Sequence, residues 1–155
     1  MSAAFDPVPA HRHFSALCFN ITWDLIDKAD RTPEEGREML ARTMTSLWHW
    51  QQRDDVAPRQ LSVGCWQVSR VLCLIGQPGL ALEFAKESLA HAVSDEPFYR
   101  AYALEAVARG EQLAGRSAEA AHARHEAERL AADVADEGSR TALLADLATI
   151  PGLKS

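Results

Sequence analysis

The side chains best equipped for chemistry in this 155-residue chain are its histidines, its cysteines and a few paired carboxylates. His11 and His13 flank Arg12, and two residues apart they diverge by about 200° around a helix, so only a flexible end would let them chelate together. The expectation is a solvated N-terminus. His122 and His125 are three apart and share a helix face, yet a metal site takes three or four ligands, and opposite an alanine stripe they are expected to be surface residues. His49 and His91 have no recognisable partner; His91 falls near a helix C-terminus, where its protonated form would suit the dipole. Glu34-Glu35, Asp54-Asp55 and Asp95-Glu96 each fall at a turn or a helix start, which the dipole explains without chemistry. No GxSxG, HExxH, Walker or GxGxxG arrangement occurs. The chain is therefore expected to be no enzyme, with no metal, no cofactor and no catalytic residue.

Cys18, Cys65 and Cys73 lie in apolar stretches, lack CxxC spacing and are odd in number. They are expected to be reduced, core-filling thiols of a cytoplasmic protein. In Trp48-His49-Trp50 the two indoles cannot point the same way on a helix. Trp48 is assigned to the core, and Trp50, partly exposed, marks a possible homodimer surface on the first helix pair.

Composition narrows the partners. A net charge of −6 argues against nucleic acid. The longest apolar runs are too short to span a bilayer, and residues 1–13 lack the apolar stretch of a signal peptide.

Breaker residues divide the chain into helices. The first runs from Ala10 or His11 to Lys28, with Phe14, Leu17, Cys18, Ile21 and Leu25 on one stripe. Thr32 is an N-cap, with Pro33 at the first helical position and Glu35 completing a capping box. The second helix continues to about Gln52 and buries Leu40, Met44, Leu47 and Trp48. The third, from Pro58 to Ile75, carries Leu61, Cys65, Val68, Leu72 and Ile75 on one face and is apolar almost all round, as a central helix should be. Gly76 ends it, and a fourth helix runs to about Val93. Glu96-Pro97 opens a fifth that closes at Gly115. Ser117 caps a sixth with Ala120, Ala123, Ala127, Leu130, Ala131 and Val134 inward, and a last short helix holds Leu143, Leu144 and Leu147. Of 27 alanines, 16 follow residue 100. Alanine favours helix and lets helices approach closely, so the expected fold is all-α. About seven helices form one domain, with pairs at 10–52, 58–93 and 96–135 and a capping helix at 137–150. Short connections make successive helices antiparallel.

Two segments match: Gly76-Gln77-Pro78-Gly79-Leu80-Ala81 through Ser88-Leu89, and Gly115-Arg116-Ser117-Ala118-Glu119-Ala120 through Ala127. Each has a glycine, a turn, and a helix with small residues five and twelve positions after the glycine. In this the chain resembles the tetratricopeptide repeat family, over about residues 58 to 135 and by analogy over the first 52, where Gly36 is the small crossing residue. Ala81 to Ala120 spans 39 residues, whereas the family repeats at about 34. Cys65 and Leu104 stand where the family has an aromatic, and Trp66 follows one residue later.

The resemblance implies antiparallel hairpins stacked as a short right-handed superhelix. Its concave face, made by alternate helices, would bind a protein or peptide segment. That groove would present Asn20, Trp23, Asp24 and Asp27 from the first helix. The third would add Val63, Trp66, Gln67, Arg70 and Leu74, and the fifth Tyr102, Glu105, Arg109 and Gln112. Trp66 and Tyr102 would be apolar anchors, and Arg70 and Arg109 would read charge on an acidic or amphipathic segment. The alternative is a small-molecule sensor domain with a pocket between helices one, three and five.

Overall fold

The computed structural model describes residues 6–93 and 96–153. Seven helices form among them and no strand: α1 Val8–Ile26, α2 Pro33–Gln51, α3 Pro58–Leu74, α4 Pro78–His91, α5 Pro97–Leu113, α6 Ser117–Ala131 and α7 Glu137–Ala148. Asp95 of the Asp95-Glu96 pair, with much of the N-terminal segment, lies outside the described residues.

Local chemistry sets the helix ends. Thr32 accepts the Glu35 amide at 3.2 Å, and the Glu35 carboxylate accepts the Thr32 amide at 2.9 Å, which is the expected capping box. Gly76 and Gly115 adopt φ of 74° and 79°, a region that costs glycine nothing and a side chain strain. Each closes its helix with the same two bonds. Gln77 N–H reaches Leu72 O and Arg116 N–H reaches Glu111 O, both at 2.9 Å. Gly76 N–H donates to Cys73 O, and Gly115 N–H to Gln112 O. The two matching segments are thus equivalent in backbone geometry, each a Schellman turn into the next helix. Ser117 is the first residue of α6 and makes no cap bond, contrary to its expected role; Arg116 holds the N-cap position.

Each helix packs on the next. Beyond that, α1 touches α3, α3 touches α5 and α5 touches α7, whereas no contact joins α2 to α4 or α4 to α6 among the described residues. Hairpins laid side by side give this order: the odd-numbered helices form one continuous layer, and the even-numbered ones stand apart behind it. The small residues of the two matching segments lie where the helices pack closely. Ala81, Ser88, Ala120 and Ala127 are fully buried. Buried Gly36 fits the same role, because a Cβ there would come within 3.3 Å of Ile75 Cγ2.

The first hairpin departs from its expected pattern. Phe14 and Leu17 are exposed, as are Met44 and Trp48, the last at 53%. Beside the expected Cys18 and Leu47, α1 and α2 bury Ser15, Thr22, Ile26, Met39, Thr43 and Ser46. Small hydroxyl residues let the helices approach, and each pays its polarity back locally. Thr22 donates to Cys18 O, Ser46 to Ser15 O, and Thr43 to Gln67 Oε1 at 3.0 Å. Of the expected apolar positions, Cys18 and Leu47 are buried and Ile21, Leu25 and Leu40 partly so, whereas Phe14, Leu17, Met44 and Trp48 are not.

Candidate functional site

The odd-numbered layer carries two adjoining clefts. The first, about 250 Å³, is lined by Ala16, Phe19 and Asn20 of α1, Trp50 of α2, Arg59, Gln60, Val63 and Gly64 of α3, and Tyr99 of α5. The second, about 230 Å³, lies between Trp23, Ser62, Val63, Trp66, Ser88, Phe98, Tyr99, Tyr102 and Asp146. Val63 and Tyr99 belong to both. Five aromatic rings wall the second cleft in sequence: Trp23 meets Trp66 with centroids 5.8 Å apart, Trp66 meets Tyr102 edge-on at 5.1 Å, Tyr102 meets Phe98 at 5.0 Å, and Phe98 meets Tyr99 at 5.3 Å. Tilted and edge-to-face pairs of this kind hold one another's orientation.

Behind the aromatic wall lies a buried charge network. The Glu105 side chain is fully buried. Its Oε2 accepts Trp66 Nε1–H at 2.8 Å, and its Oε1 accepts Arg70 Nη1 at 3.1 Å and Arg109 Nε and Nη2 at 2.8 and 2.5 Å. Arg109 Nη2 also donates to Asp146 O and Thr149 Oγ1. Tyr102 O–H donates to Asp146 Oδ2 at 2.9 Å, and Arg70 Nη2 stands 3.9 Å from Asp146 Oδ1. Burial, with the neighbouring Asp146 carboxylate, raises the Tyr102 phenol well above its ordinary range. The network ties α3, α5 and α7 together and fixes the indole and phenol that face the cleft.

This corrects the expected groove. Arg70 and Arg109, assigned to read charge on a partner, spend their guanidinium groups on Glu105, with side chains only 13% and 10% exposed. Glu105 faces no partner either. Gln67 is fully buried, accepting Thr43 Oγ1–H and donating to Phe19 O, so it is an internal strut and no contact residue. Gln112 sits under the C-terminal turn, where a Cβ on Gly152 would come within 2.8 Å of its Nε2. Trp66 is buried at 7% exposure, although it belongs to the cleft's lining. Trp23 and Tyr102 are half-buried in the wall, and Asn20 lines the neighbouring cleft. Asp24 and Asp27 are exposed on the Asn20–Trp23 stripe of α1, and Leu74 is exposed at the end of α3. Phe98, Tyr99 and Asp146 were missed. The first two begin α5, and Asp146 belongs to a helix read only as a cap; its position between Leu143 and Leu147 was the available signal.

Of the aromatic assignments on α2, that of Trp48 to the core is overturned. Trp48 is the exposed indole. Trp50 is only partly exposed, as expected, with the Arg53 guanidinium 4.1 Å from its ring, and it walls the first cleft. The histidine between them has a partner after all. His49 and His11 share a hydrogen bond between their Nδ1 atoms at 2.8 Å, one ring donating, and both rings pack beside Trp48. Burial, with His11 alongside, lowers the His49 pKa. His122 and His125 are exposed as expected.

Among the described residues no group of three or more His, Cys, Asp or Glu side chains is placed to hold a metal. All three cysteines are free. Burial pushes the Cys65 thiol up to about 12 and the Cys73 thiol up to about 11, far from the range of a reactive thiolate. No described helix is long and apolar enough to cross a membrane. Set against models of known protein families, curated proteins and solved structures, the chain matches none of them.

Proposed function

We propose that this chain is a tetratricopeptide-like stack of hairpins, coiled as a right-handed superhelix, that binds an extended protein segment along its odd-helix face. It acts as a binding or assembly module and not as an enzyme. The observation that carries this reading is the pair of clefts in series on one layer, joined through Val63 and Tyr99. Each is smaller than the roughly 300–1,000 Å³ of a typical small-molecule pocket. Each has room for a bulky side chain, and two such subsites on one rigid face suit successive side chains of one strand or helix. The aromatic walls supply the rigid anchors on which such contacts depend. Three free, poorly acidic thiols suit a reducing, cytoplasmic setting. The competing reading, a small-molecule sensor, has in its favour that the second cleft lies between α1, α3 and α5; its small volume makes it the lesser one.

The test is selection from a random peptide display library, followed by competition with the Val63→Trp variant. An indole at position 63 fills the junction of both clefts. Enriched peptides should lose binding to that variant by about tenfold or more, with helical circular dichroism unchanged. Undiminished binding to Val63→Trp, or no enrichment at all, would overturn the groove.

A further inference from the structure

We infer that the second cleft takes an alkylammonium group, namely the side chain of a lysine, plain or methylated, on the bound segment. The inference rests on the groove reading above and names the chemistry of one of its subsites. Five aromatic residues line the cleft, and Asp146 is its single charged lining residue. Ring faces attract cations through their quadrupoles, most strongly where water is excluded, and several rings around one site add their effects. The alkyl stem of a lysine has apolar walls to lie against, and the ammonium has a carboxylate within the same lining.

The cations nearest the cleft do not oppose this. Arg70 and Arg109 stand behind the wall and are held on Glu105, outside the lining. Tyr102 O–H and, at 3.9 Å, Arg70 share Asp146, yet the Asp146 side chain keeps 32% of its surface open. Arg59 opens into the adjoining cleft, not this one. Asp24, next to Trp23 on α1, and Asp27, the residue that caps that helix, are both exposed and neither is in an ion pair among the described residues. The net charge of −6 likewise favours a cationic over an anionic ligand.

The experiment titrates the full chain with three probes at constant ionic strength, following the indole N–H resonances of Trp23 and Trp66. The probes are Nα-acetyl-lysine methylamide, its Nε-trimethyl form, and the norleucine analogue, which keeps the stem and lacks the charge. The trimethyl form is expected to bind about tenfold more tightly than norleucine, a difference that cation–aromatic attraction at a desolvated site supports. Trp23→Leu, which breaks no hydrogen bond, should erase most of that difference, and Asp146→Asn should weaken both cationic probes while leaving norleucine unchanged. Norleucine binding as well as the cations would overturn the inference and leave an apolar subsite, with the groove intact. Shifts from none of the three would overturn the inference together with the groove at this cleft. Choline is titrated as a fourth, separate probe, and its binding more tightly than trimethyl-lysine would assign the cleft to a free ammonium compound and overturn the claim for a segment.

Discussion

The two faces of α5 obey different rules. Toward α6, Ala101, Leu104 and Ala108 meet Ala123, Ala127 and Ala131, with Leu143 and Leu147 of α7 closing the same cluster. That cluster is built of apolar side chains, and its stability comes from close approach and dispersion. Toward α3 and α7, the same helix buries Glu105 and Arg109 against Arg70, Trp66 and Asp146. Here cohesion depends on every charge having its partner, because an unpaired buried charge costs far more than a lost contact. The first face tolerates little change in volume, the second little change in charge. The protein places its clefts on the second, where a rigid polar scaffold holds aromatic rings that would otherwise be free to rotate.

The largest test of this contrast removes the charge at its centre. Glu105→Ala would leave the buried Arg109 guanidinium without a counter-charge and Arg70 with Asp146 alone, 3.9 Å away, and a loss of about 3–5 kcal/mol in urea unfolding is expected. Equal stability of that variant and the parent would break the contrast. On the opposite face, Ala127→Leu should cost about 1–3 kcal/mol by overpacking, and a peptide bound at the clefts should lose no affinity beyond that explained by unfolding. Tyr102→Phe sharpens the comparison by deleting only the bond to Asp146 and keeping the ring. About 1 kcal/mol is expected in the same unfolding assay.

The smallest effect is one of pH, and it should arise elsewhere. His49 has a lowered pKa in the folded chain, so the unfolded chain takes up the proton first. As pH falls below the ordinary histidine value of about 6.5, stability should decline until the folded pKa is passed. His49→Gln should flatten that decline in thermal melts between pH 7 and 5, whereas Tyr102→Phe should leave it in place.

The same division explains what could be read from the sequence. Gly76 and Gly115, the small residues after them, and the Thr32–Glu35 cap act through local geometry that residue type determines, so the helices and their stacking were legible. The α6 face was legible for the same reason, since Ala120, Ala123, Ala127 and Ala131 recur at helical spacing. Charge pairing across helices follows no such period. Arg70 and Glu105 are 35 residues apart, and only the packing of α3 on α5 turns two residues expected at a surface into one buried network. In the first hairpin, hydroxyl residues took the core because they hydrogen-bond to backbone or to Gln67. This left Phe14, Leu17, Met44 and Trp48 outside, an outcome hydropathy alone points away from. The family resemblance points to Trp23, Trp66 and Tyr102, and Phe98, Tyr99 and Asp146 join them around the second cleft only once α5 and α7 are folded against α3.

The most direct test of the odd-helix layer as the working face is an amide and indole NMR map of the chain with a peptide selected against it. Perturbations should cluster on α1, α3, α5 and α7, with the Trp23 and Trp66 indoles among the largest. Perturbations confined to α2, α4 and α6, with both indoles unmoved, would contradict it.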